Sequence, residues 1–237
     1  MASLDRDALS ASLRRLGSDG PGSTLHESLD RLVDDVATLF RCTGAGLMVV
    51  DDGGDLRYVA ASNGHARVLE VAQEEHASGP CVDALLQDRV VITDDVTTDP
   101  RWPELTPRLA PTDVRAVMGL PVRVGGTAIG SLDVYHAESH RWEDIESDAL
   151  SRVNEVAERM IDSALQSHRN EELVGQLEQA LESRVVVERA IGWLMARQGG
   201  DARSAFQAMR RVARSERRRV QDVAEDVLEG RLEPPVD

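Results

Sequence analysis

Residues 114–135, VRAVMGLPVRVGGTAIGSLDVY, contain two runs of β-branched and other apolar residues on either side of a glycine pair. The runs Val114–Val124 and Thr127–Tyr135 have the composition of strands, and Gly125-Gly126 is typical of a tight hairpin turn. We therefore predict an antiparallel strand pair at these residues.

The residues on both sides of this hairpin predict alternating helices and strands. In order, the patterns indicate a marginal helix with a breaker cluster at 1–24, a helix at 24–41, strands at 45–50 and 56–61, helices at 66–73 and 80–87, a strand at 90–93, and a loop with a short helix at 94–114. The order of helix, hairpin, helices, hairpin and helix predicts an α+β fold, an antiparallel sheet with helices on its faces.

Almost all of residues 143–198 has a helical pattern, which predicts a long, coiled-coil-like helix. Its first half carries an apolar seam that we expect to pair with a second chain in a homodimer: Leu150, Val153, Ala157, Met160 and Ala164. A polar interval at 166–172 shifts the phase of the seam and is a candidate signal relay. The second half carries a seam that we expect to pack within the chain: Leu173, Leu177, Ala180, Arg184, Val187, Ile191 and Leu194.

Two shorter helices follow and complete a small three-helix bundle. Gly199-Gly200 ends the long helix, and Asp201 is a plausible N-cap for the second helix. Ser215 is a candidate cap for the third. The expected buried stripes are Ala202, Ala205, Phe206, Met209 and Ala213 on the second helix, and Val220, Val223, Ala224, Val227 and Leu228 on the third.

The charge distribution points to a polyanionic partner for this bundle. The chain has a net charge of −15, and all 27 of its basic residues are arginine. Residues 184–219 contain 10 arginines and 3 acids, a charge of +7, whereas residues 1–183 carry −17 and residues 220–237 carry −5. A basic block inside an acidic protein favours nucleic acid as its partner, and a solvated helix face is the alternative.

Several classes of protein are disfavoured by the sequence. There is no run of 18 apolar residues and no signal-peptide pattern, so we expect neither a membrane span nor secretion. Cys42 and Cys81 are far apart, which disfavours a disulfide framework or a zinc site and fits the cytoplasm. No histidine pair, phosphate loop or nucleophile motif is evident, and we expect no enzymatic activity.

Ser78-Gly79-Pro80-Cys81 together with the strand pair Gly119–Val122 and Ile129–Tyr135 resembles a GAF domain over about residues 24–165. The resemblance implies a sheet of six or so antiparallel strands and a pocket for a small molecule, haem, bilin or cyclic nucleotide. His65, His76 and Cys81 are the ligand-pocket candidates, and the sequence identifies no ligand or cofactor. Surface histidines and a buried structural thiol are the alternatives, although a thiol at a helix start could have a lowered pKa.

The run Leu181–Met195, followed by Ala205-Phe206, Arg210, Ala213-Arg214 and Val220–Ala224, resembles an ANTAR domain over about residues 172–230. The resemblance implies binding to RNA with paired short-loop hairpins, and antitermination of transcription. Two positions depart from the family pattern: Ile191 stands where a lysine is usual, and Glu216 occupies a polar position near the third helix.

Cations on a common surface would bind RNA phosphates, and small residues would let loop bases approach. We expect the loop to contact Arg189, Ala190, Gly192 and Arg197. We expect phosphate contacts from Arg203, Arg210, Arg214, Arg217, Arg218 and Arg219. Trp193 is better explained as a core residue than as a base-stacking one.

The sequence therefore predicts an N-terminal tail (1–23), a GAF sensor domain (24–165), a linker helix with an ANTAR domain (166–230) and a C-terminal tail (231–237). The expected function is that of a homodimeric, cytoplasmic, signal-regulated antiterminator that binds hairpin-containing transcripts. A ligand- or redox-sensing module that acts through protein contacts without RNA is one alternative, and a DNA-binding three-helix module is another. The RNA hypothesis requires that the arginines are not held by the sensor half in every conformation.

Overall fold

The computed structural model describes residues 23–51, 54–167 and 172–236. Most of the predicted N-terminal tail lies outside these residues. The elements are α1 (Leu25–Phe40), β1 (Gly44–Val50), β2 (Leu56–Ala61), α2 (Gly64–His76), α3 (Pro80–Gln87), β3 (Val91–Thr93), α4 (Leu105–Leu109), β4 (Ala116–Val124), β5 (Thr127–His136), α5 (Asp144–Gln166), α6 (Glu172–Gln198), α7 (Ala202–Glu216) and α8 (Val220–Leu228).

The described strands form one antiparallel sheet in the order β2-β1-β5-β4-β3. This confirms the α+β class, with five strands among the described residues where the resemblance implied six or so. Gly125 and Gly126 join β4 to β5 with φ angles of 58° and 84°. A two-residue turn with positive φ at both positions matches the right-handed twist of the strands, which explains the glycine pair.

The two faces of the sheet are covered by different helices. Alternate side chains such as Leu47 and Leu132 pack against α1 and α5. Met48 and Tyr135 point to the opposite face, where α2, α3 and α4 lie. Because successive side chains along a strand point to opposite faces, Asp133, the neighbour of Leu132, lies on the face covered by α2 and α3. We call the sheet with α1 to α5 the N-terminal unit.

The seam on α5 is buried inside the N-terminal unit, which corrects our expectation that it pairs with a second chain. Leu150, Val153 and Ala157 are fully buried, and Ala164 is 5 % exposed, because they pack in the same core as α1. Met160 is partly buried at the edge of that core. These residues therefore offer no dimer seam in this conformation.

The long helix is interrupted, since α5 ends at Gln166 and α6 begins at Glu172. Residues 168–171 of the predicted polar relay lie outside the described part of the chain. Along α6, Leu177 and Ala180 pack on the N-terminal unit, while Val187 and Leu194 belong to the C-terminal core. The second half of the seam thus packs within the chain, as predicted.

The second part of α6, together with α7 and α8, forms what we call the C-terminal bundle. Asp201 caps α7 as predicted, and its carboxylate accepts a hydrogen bond of 2.8 Å from the backbone N–H of Ser204. Ser215 is not the cap of the third helix: α7 continues to Glu216, and Arg219 is the N-cap of α8. The Ser215 hydroxyl donates instead to the carbonyl of Val212, within its own helix.

The apolar stripes of α7 and α8 meet α6 in one core, and nearly all of the predicted residues are buried there. Ala202 and Leu228 lie at its margin. Ala77, at the end of α2, packs in the same core, so the bundle and the N-terminal unit share apolar contacts. Among the described residues, no helix has a stretch both long and apolar enough to cross a membrane.

Candidate nucleic-acid interface

The arginines of the basic block differ in exposure, and several of them are held by the N-terminal unit. Arg189, Arg197, Arg214 and Arg217 are exposed. Arg203 is half-buried, and Arg184 and Arg210 are buried. The expected surface is therefore only partly open in this conformation.

Arg210 is the most completely held of the predicted phosphate ligands, with 9 % of its surface exposed. Its Nε donates to Oδ1 of Asp55, in the β1–β2 connection, at 2.8 Å. Its two Nη atoms donate to the carbonyl oxygens of Glu74 and Glu75. These carbonyls lie in the last turn of α2, where the helix dipole favours a cation.

Arg214 lies one turn further along α7, and it also donates to the carbonyl of Glu75, at 3.3 Å. Its side chain nevertheless remains exposed. Arg210 and Arg214 therefore both face the end of α2, with Arg210 inside the contact and Arg214 at its rim.

Arg203 forms a second contact between the two parts of the chain. Its Nε donates to Oδ1 of Asp83 at 2.7 Å, its Nη2 pairs with Oδ2, and its Nη1 donates to the carbonyl of Arg101 at 2.7 Å. Asp83 is 1 % exposed and also accepts from the indole N–H of Trp102. A buried carboxylate of this kind needs its partners, so Arg203 and Trp102 together satisfy it.

Arg184, the arginine within the seam of α6, anchors that helix to the N-terminal unit. It is 3 % exposed and donates to the carbonyls of Ala128 and Leu85 at 3.1 and 3.2 Å. Glu188, one turn away, pairs with its Nε at 3.0 Å. Burial lowers the pKa of Arg184, and Glu188 offsets part of this effect.

Three other predicted RNA ligands pair with acids of the C-terminal bundle or of the segment that follows it. Arg197 pairs with Glu233 at 2.8 Å, Arg219 pairs with Asp222 at 2.8 Å, and Arg218 pairs with Glu216 and Asp226. Exposed pairs like these are weak in water and can exchange for phosphate contacts. Glu216, one of the two departures from the family pattern, is thus engaged by Arg218 at 2.9 Å.

The small residues proposed to approach an RNA loop differ in exposure. Ala190 is fully buried in the bundle core, so it cannot contact RNA while the bundle is folded this way. Gly192 is exposed, and an added Cβ there would meet open space. Trp193 is half-buried against the core, with the Arg197 guanidinium 5.2 Å from its ring centre. Ile191 is 6 % exposed and fills the core.

The three ligand-pocket candidates do not come together. His65 and His76 lie at opposite ends of α2, roughly 16 Å apart along the helix axis. His65 is exposed and faces Asp113 at 3.7 Å, whereas Nε2 of His76 is buried without a hydrogen bond from any described residue.

Cys81 is fully buried, which agrees with the alternative of a buried structural thiol and not with a lowered pKa. Burial, followed by the neighbouring carboxyls of Asp133 and Glu70, raises the pKa of the thiol well above its usual value. Burial also raises the pKa of Cys42, to about 12. Both thiols therefore stay protonated at neutral pH unless another group binds them, and protonated thiols are poor nucleophiles.

A cleft of about 760 Å³ lies between the N-terminal unit and the C-terminal bundle. Arg89 and Arg101 line one side, and Gly192 and Met195 line the other, with Asp83 and Arg203 at the contact. The cleft therefore borders both the ion pair and the exposed glycine of α6.

The fold also brings together a group that sequence reasoning missed. The side chains of His136, His140 and Glu146 have ligand atoms within 4.8 Å of one another, all partly buried. Glu146 already accepts from His140 and from the backbone N–H of Glu143, which caps α5. The spacing of the two histidines was the available signal, but it does not predict that Glu146, six residues after His140, would join them.

Comparison with protein families gives two matches in the expected order. The model of the GAF domain matches residues 24–161, and the model of the ANTAR domain matches residues 175–228. No curated protein sequence matches the chain.

Solved structures show the same fold as the N-terminal unit. The GAF domain of a phosphoenolpyruvate-protein phosphotransferase from Coxiella burnetii has 18% identity and a TM-score of 0.56, covering 68% of this chain and 97% of that one. The corresponding domain from Acinetobacter has 17% identity, a TM-score of 0.55, and covers 69% and 96%. A free methionine-R-sulfoxide reductase from Neisseria meningitidis, solved with its substrate, has 17% identity, a TM-score of 0.55, and covers 68% and 90%.

Proposed function

Since the chain belongs to the GAF domain family and carries an ANTAR domain behind its GAF domain, we propose that it is a signal-regulated transcription antiterminator. In this proposal the C-terminal bundle binds hairpin RNA, and the GAF domain controls how much of the arginine surface is available. RNA held in this way would prevent a competing terminator hairpin from forming.

The contact of Arg203 and Arg210 with Asp83 and Asp55 is the observation that carries this proposal. A guanidinium that pairs with a carboxylate offers fewer donors to a phosphate oxygen, because both acceptors use the same planar fork of N–H groups. In this proposal the described conformation is the resting state, in which the GAF domain holds two of the predicted RNA ligands.

The exposed arginines supply the first contacts in this proposal. Arg189, Arg214 and Arg217 attract the RNA backbone, and Gly192 leaves room for a base at the surface of α6. When the bundle separates from the GAF domain, Arg203 and Arg210 add two further cations. A signal that favours the separated conformation would thus raise RNA affinity.

We also propose that the active form is a homodimer, although the seam of α5 is buried in the chain's own core. Leu177 and Ala180 of α6 are buried against the GAF domain in the resting state. Separation exposes this apolar seam, and a second copy can then cover it. Sedimentation velocity with and without hairpin RNA tests this point, and a complex containing one chain would contradict it.

The RNA proposal is tested with an RNA of two short-loop hairpins, using fluorescence anisotropy at several salt concentrations. We expect Arg189→Ala, Arg214→Ala and Arg217→Ala each to weaken binding and to reduce the salt slope by about 1 for each lost phosphate contact. Arg159→Ala, an exposed arginine on α5, is the matched control and leaves both quantities unchanged.

Competition between hairpin RNA and duplex DNA distinguishes the antiterminator from the two alternative functions. If duplex DNA competes as well as hairpin RNA does, the bundle is a DNA-binding module instead. If neither nucleic acid binds in a salt-dependent manner, the chain is a sensing module that acts through protein contacts. Either result overturns the antitermination proposal.

A further inference from the structure

The core of the GAF domain contains an acidic group that the RNA proposal does not use. Glu70 on α2, Cys81 on α3 and Asp133 on β5 are each fully buried. One ligand atom from each of these side chains lies within 4.8 Å of the other two. Two carboxyl groups and a thiol thus converge inside an apolar core, between the sheet and two helices.

The carboxyl oxygens of this group have no partners outside the group itself. No described residue outside this group donates a hydrogen bond to either oxygen of Glu70 or of Asp133, and the two carboxyl groups face only each other and the Cys81 thiol. The hydroxyl of Ser131, two residues before Asp133 on the same face of β5, is equally buried and faces the Cys81 thiol. Buried polar groups are nearly always satisfied, so carboxyl groups that face only one another must either keep their protons or share a cation.

The surrounding residues are arranged to accommodate these side chains. A Cβ on Gly46 would lie 2.0 Å from Oε1 of Glu70, so only glycine lets this carboxyl reach the sheet. Gln73 holds the cysteine, because its Oε1 accepts from the backbone N–H of Cys81 and its Nε2 donates to Sγ, both at 2.9 Å. An amide that donates to sulfur orients the thiol and suits a thiolate, as residues behind metal ligands do.

We propose that Glu70, Cys81 and Asp133 bind a divalent transition-metal ion, with Zn²⁺ as the best match. One thiolate and two carboxylates form a mixed donor set that zinc accepts in tetrahedral sites, whereas Mg²⁺ and Ca²⁺ prefer oxygen ligands alone. The Ser131 hydroxyl or a water molecule supplies the fourth ligand. Binding displaces protons from the three side chains, so affinity rises with pH.

The group of His136, His140 and Glu146 is the competing location for a metal in this domain. It is more exposed, and Glu146 is already occupied by His140 and by the helix cap. It contains no sulfur, so the two locations are distinguished by whether the bound metal has a thiolate ligand.

The test uses the full chain, stripped with a chelator and then titrated with Co²⁺ as a spectroscopic substitute for Zn²⁺. We expect about one metal ion per chain, with a sulfur-to-cobalt charge-transfer band that Zn²⁺ abolishes by displacement and Mg²⁺ does not. Cys81→Ser removes the band. Cys42→Ser is the matched thiol control, and His136→Ala with His140→Ala is the control for the competing group; both retain it.

A second measurement, the shift in Tm caused by Zn²⁺, tests the two carboxyl ligands. Asp133→Asn and Glu70→Gln replace a buried carboxyl by a neutral amide of similar shape, so the metal-free protein stays folded. Zn²⁺ should raise the Tm of the unmodified chain by several degrees and leave the Tm of these variants unchanged. Absence of the charge-transfer band, its survival in Cys81→Ser, or an equal Tm shift in Asp133→Asn overturns the proposal. None of these readouts involves RNA, so the inference stands or fails separately from the proposed function.

Discussion

The guanidinium of Arg210 is hydrogen-bonded to the carboxylate of Asp55 at 2.8 Å, although the two residues are 155 positions apart in sequence. Arg210 belongs to the ANTAR domain and Asp55 to the GAF domain, so this pair joins the two functional parts of the chain directly. Both side chains are partly shielded, with 11 % and 29 % of their side-chain surface exposed. In the proposed function, the pair would couple the availability of Arg210, a predicted RNA ligand, to the position of the GAF domain.

Asp55→Asn is expected to strengthen RNA binding, because it removes the charge that holds Arg210 in the resting state. A partly exposed ion pair contributes about 1 kcal/mol, which corresponds to a roughly fivefold tighter apparent affinity if the closed state is dominant. Fluorescence anisotropy with the two-hairpin RNA measures the change.

The control for this variant is Glu155→Gln, which removes the same charge from an exposed site on α5. If both variants change affinity equally, the effect comes from net charge alone. In that case Asp55 does not regulate the surface.

The sequence predicted the elements well because local patterns determine them. The hairpin at Gly125-Gly126, the helix from Pro80 to Gln87 and the cap at Asp201 all follow from residue types at fixed spacing. The seam of α5 was assigned to the wrong partner, since a heptad pattern indicates that a helix face is buried but does not say what covers it. The predicted cap at Ser215 was wrong because α7 continues through Ser215 to Glu216. It ends there because the next residue, Arg217, adopts a left-handed conformation.

The candidate sites were less predictable than the fold. The arginine block was visible as charge, but its partners Asp55 and Asp83 lie more than a hundred residues away. The convergence of Glu70, Cys81 and Asp133 likewise depends on two helices packing on one strand. Contacts of this kind are set by tertiary packing, which no local pattern encodes.

Arg184→Met is expected to loosen α6 from the GAF domain without unfolding that domain. The substitution replaces the guanidinium by a flexible apolar side chain that still fills part of the space, but it leaves the carbonyls of Ala128 and Leu85 without their donor. We expect a loss of about 2–3 kcal/mol in the unfolding free energy, measured by urea denaturation, and faster proteolysis within α6.

Arg152→Met, at an exposed position of α5, provides the control for that experiment. It should leave both the unfolding free energy and the proteolysis pattern unchanged. Equal proteolysis rates for Arg184→Met and the unmodified chain would show that the buried arginine does not hold α6.

Asp201→Ala is expected to destabilise the C-terminal bundle by about 1 kcal/mol, because it removes the side chain that caps α7. Hydrogen exchange of the Ser204 amide, which donates to Asp201 at 2.8 Å, should accelerate. Asp201→Ser keeps a capping oxygen and should restore most of the protection. If the serine and alanine variants exchange alike, the cap contributes nothing to the bundle.

Gly46→Ala is expected to destabilise the GAF domain through one identifiable contact, and a second substitution should relieve it. The added methyl group would lie 2.0 Å from Oε1 of Glu70 and 3.3 Å from Oδ1 of Asp133. Overpacking of this kind costs about 1–3 kcal/mol, and we expect most of that loss to disappear when Glu70 is also replaced by alanine. Urea denaturation in the presence of a chelator measures the unfolding free energies of the two single variants and of the double variant without any metal contribution.

Gly126→Ala is the control for the loss of a glycine, since Gly126 has a positive φ and open space around it. Adding Glu70→Ala should therefore not relieve the destabilisation that Gly126→Ala causes. Equal effects of Gly46→Ala with and without Glu70 would mean that the carboxyl does not occupy the space above this strand, and the proposed metal ligand would then lie elsewhere.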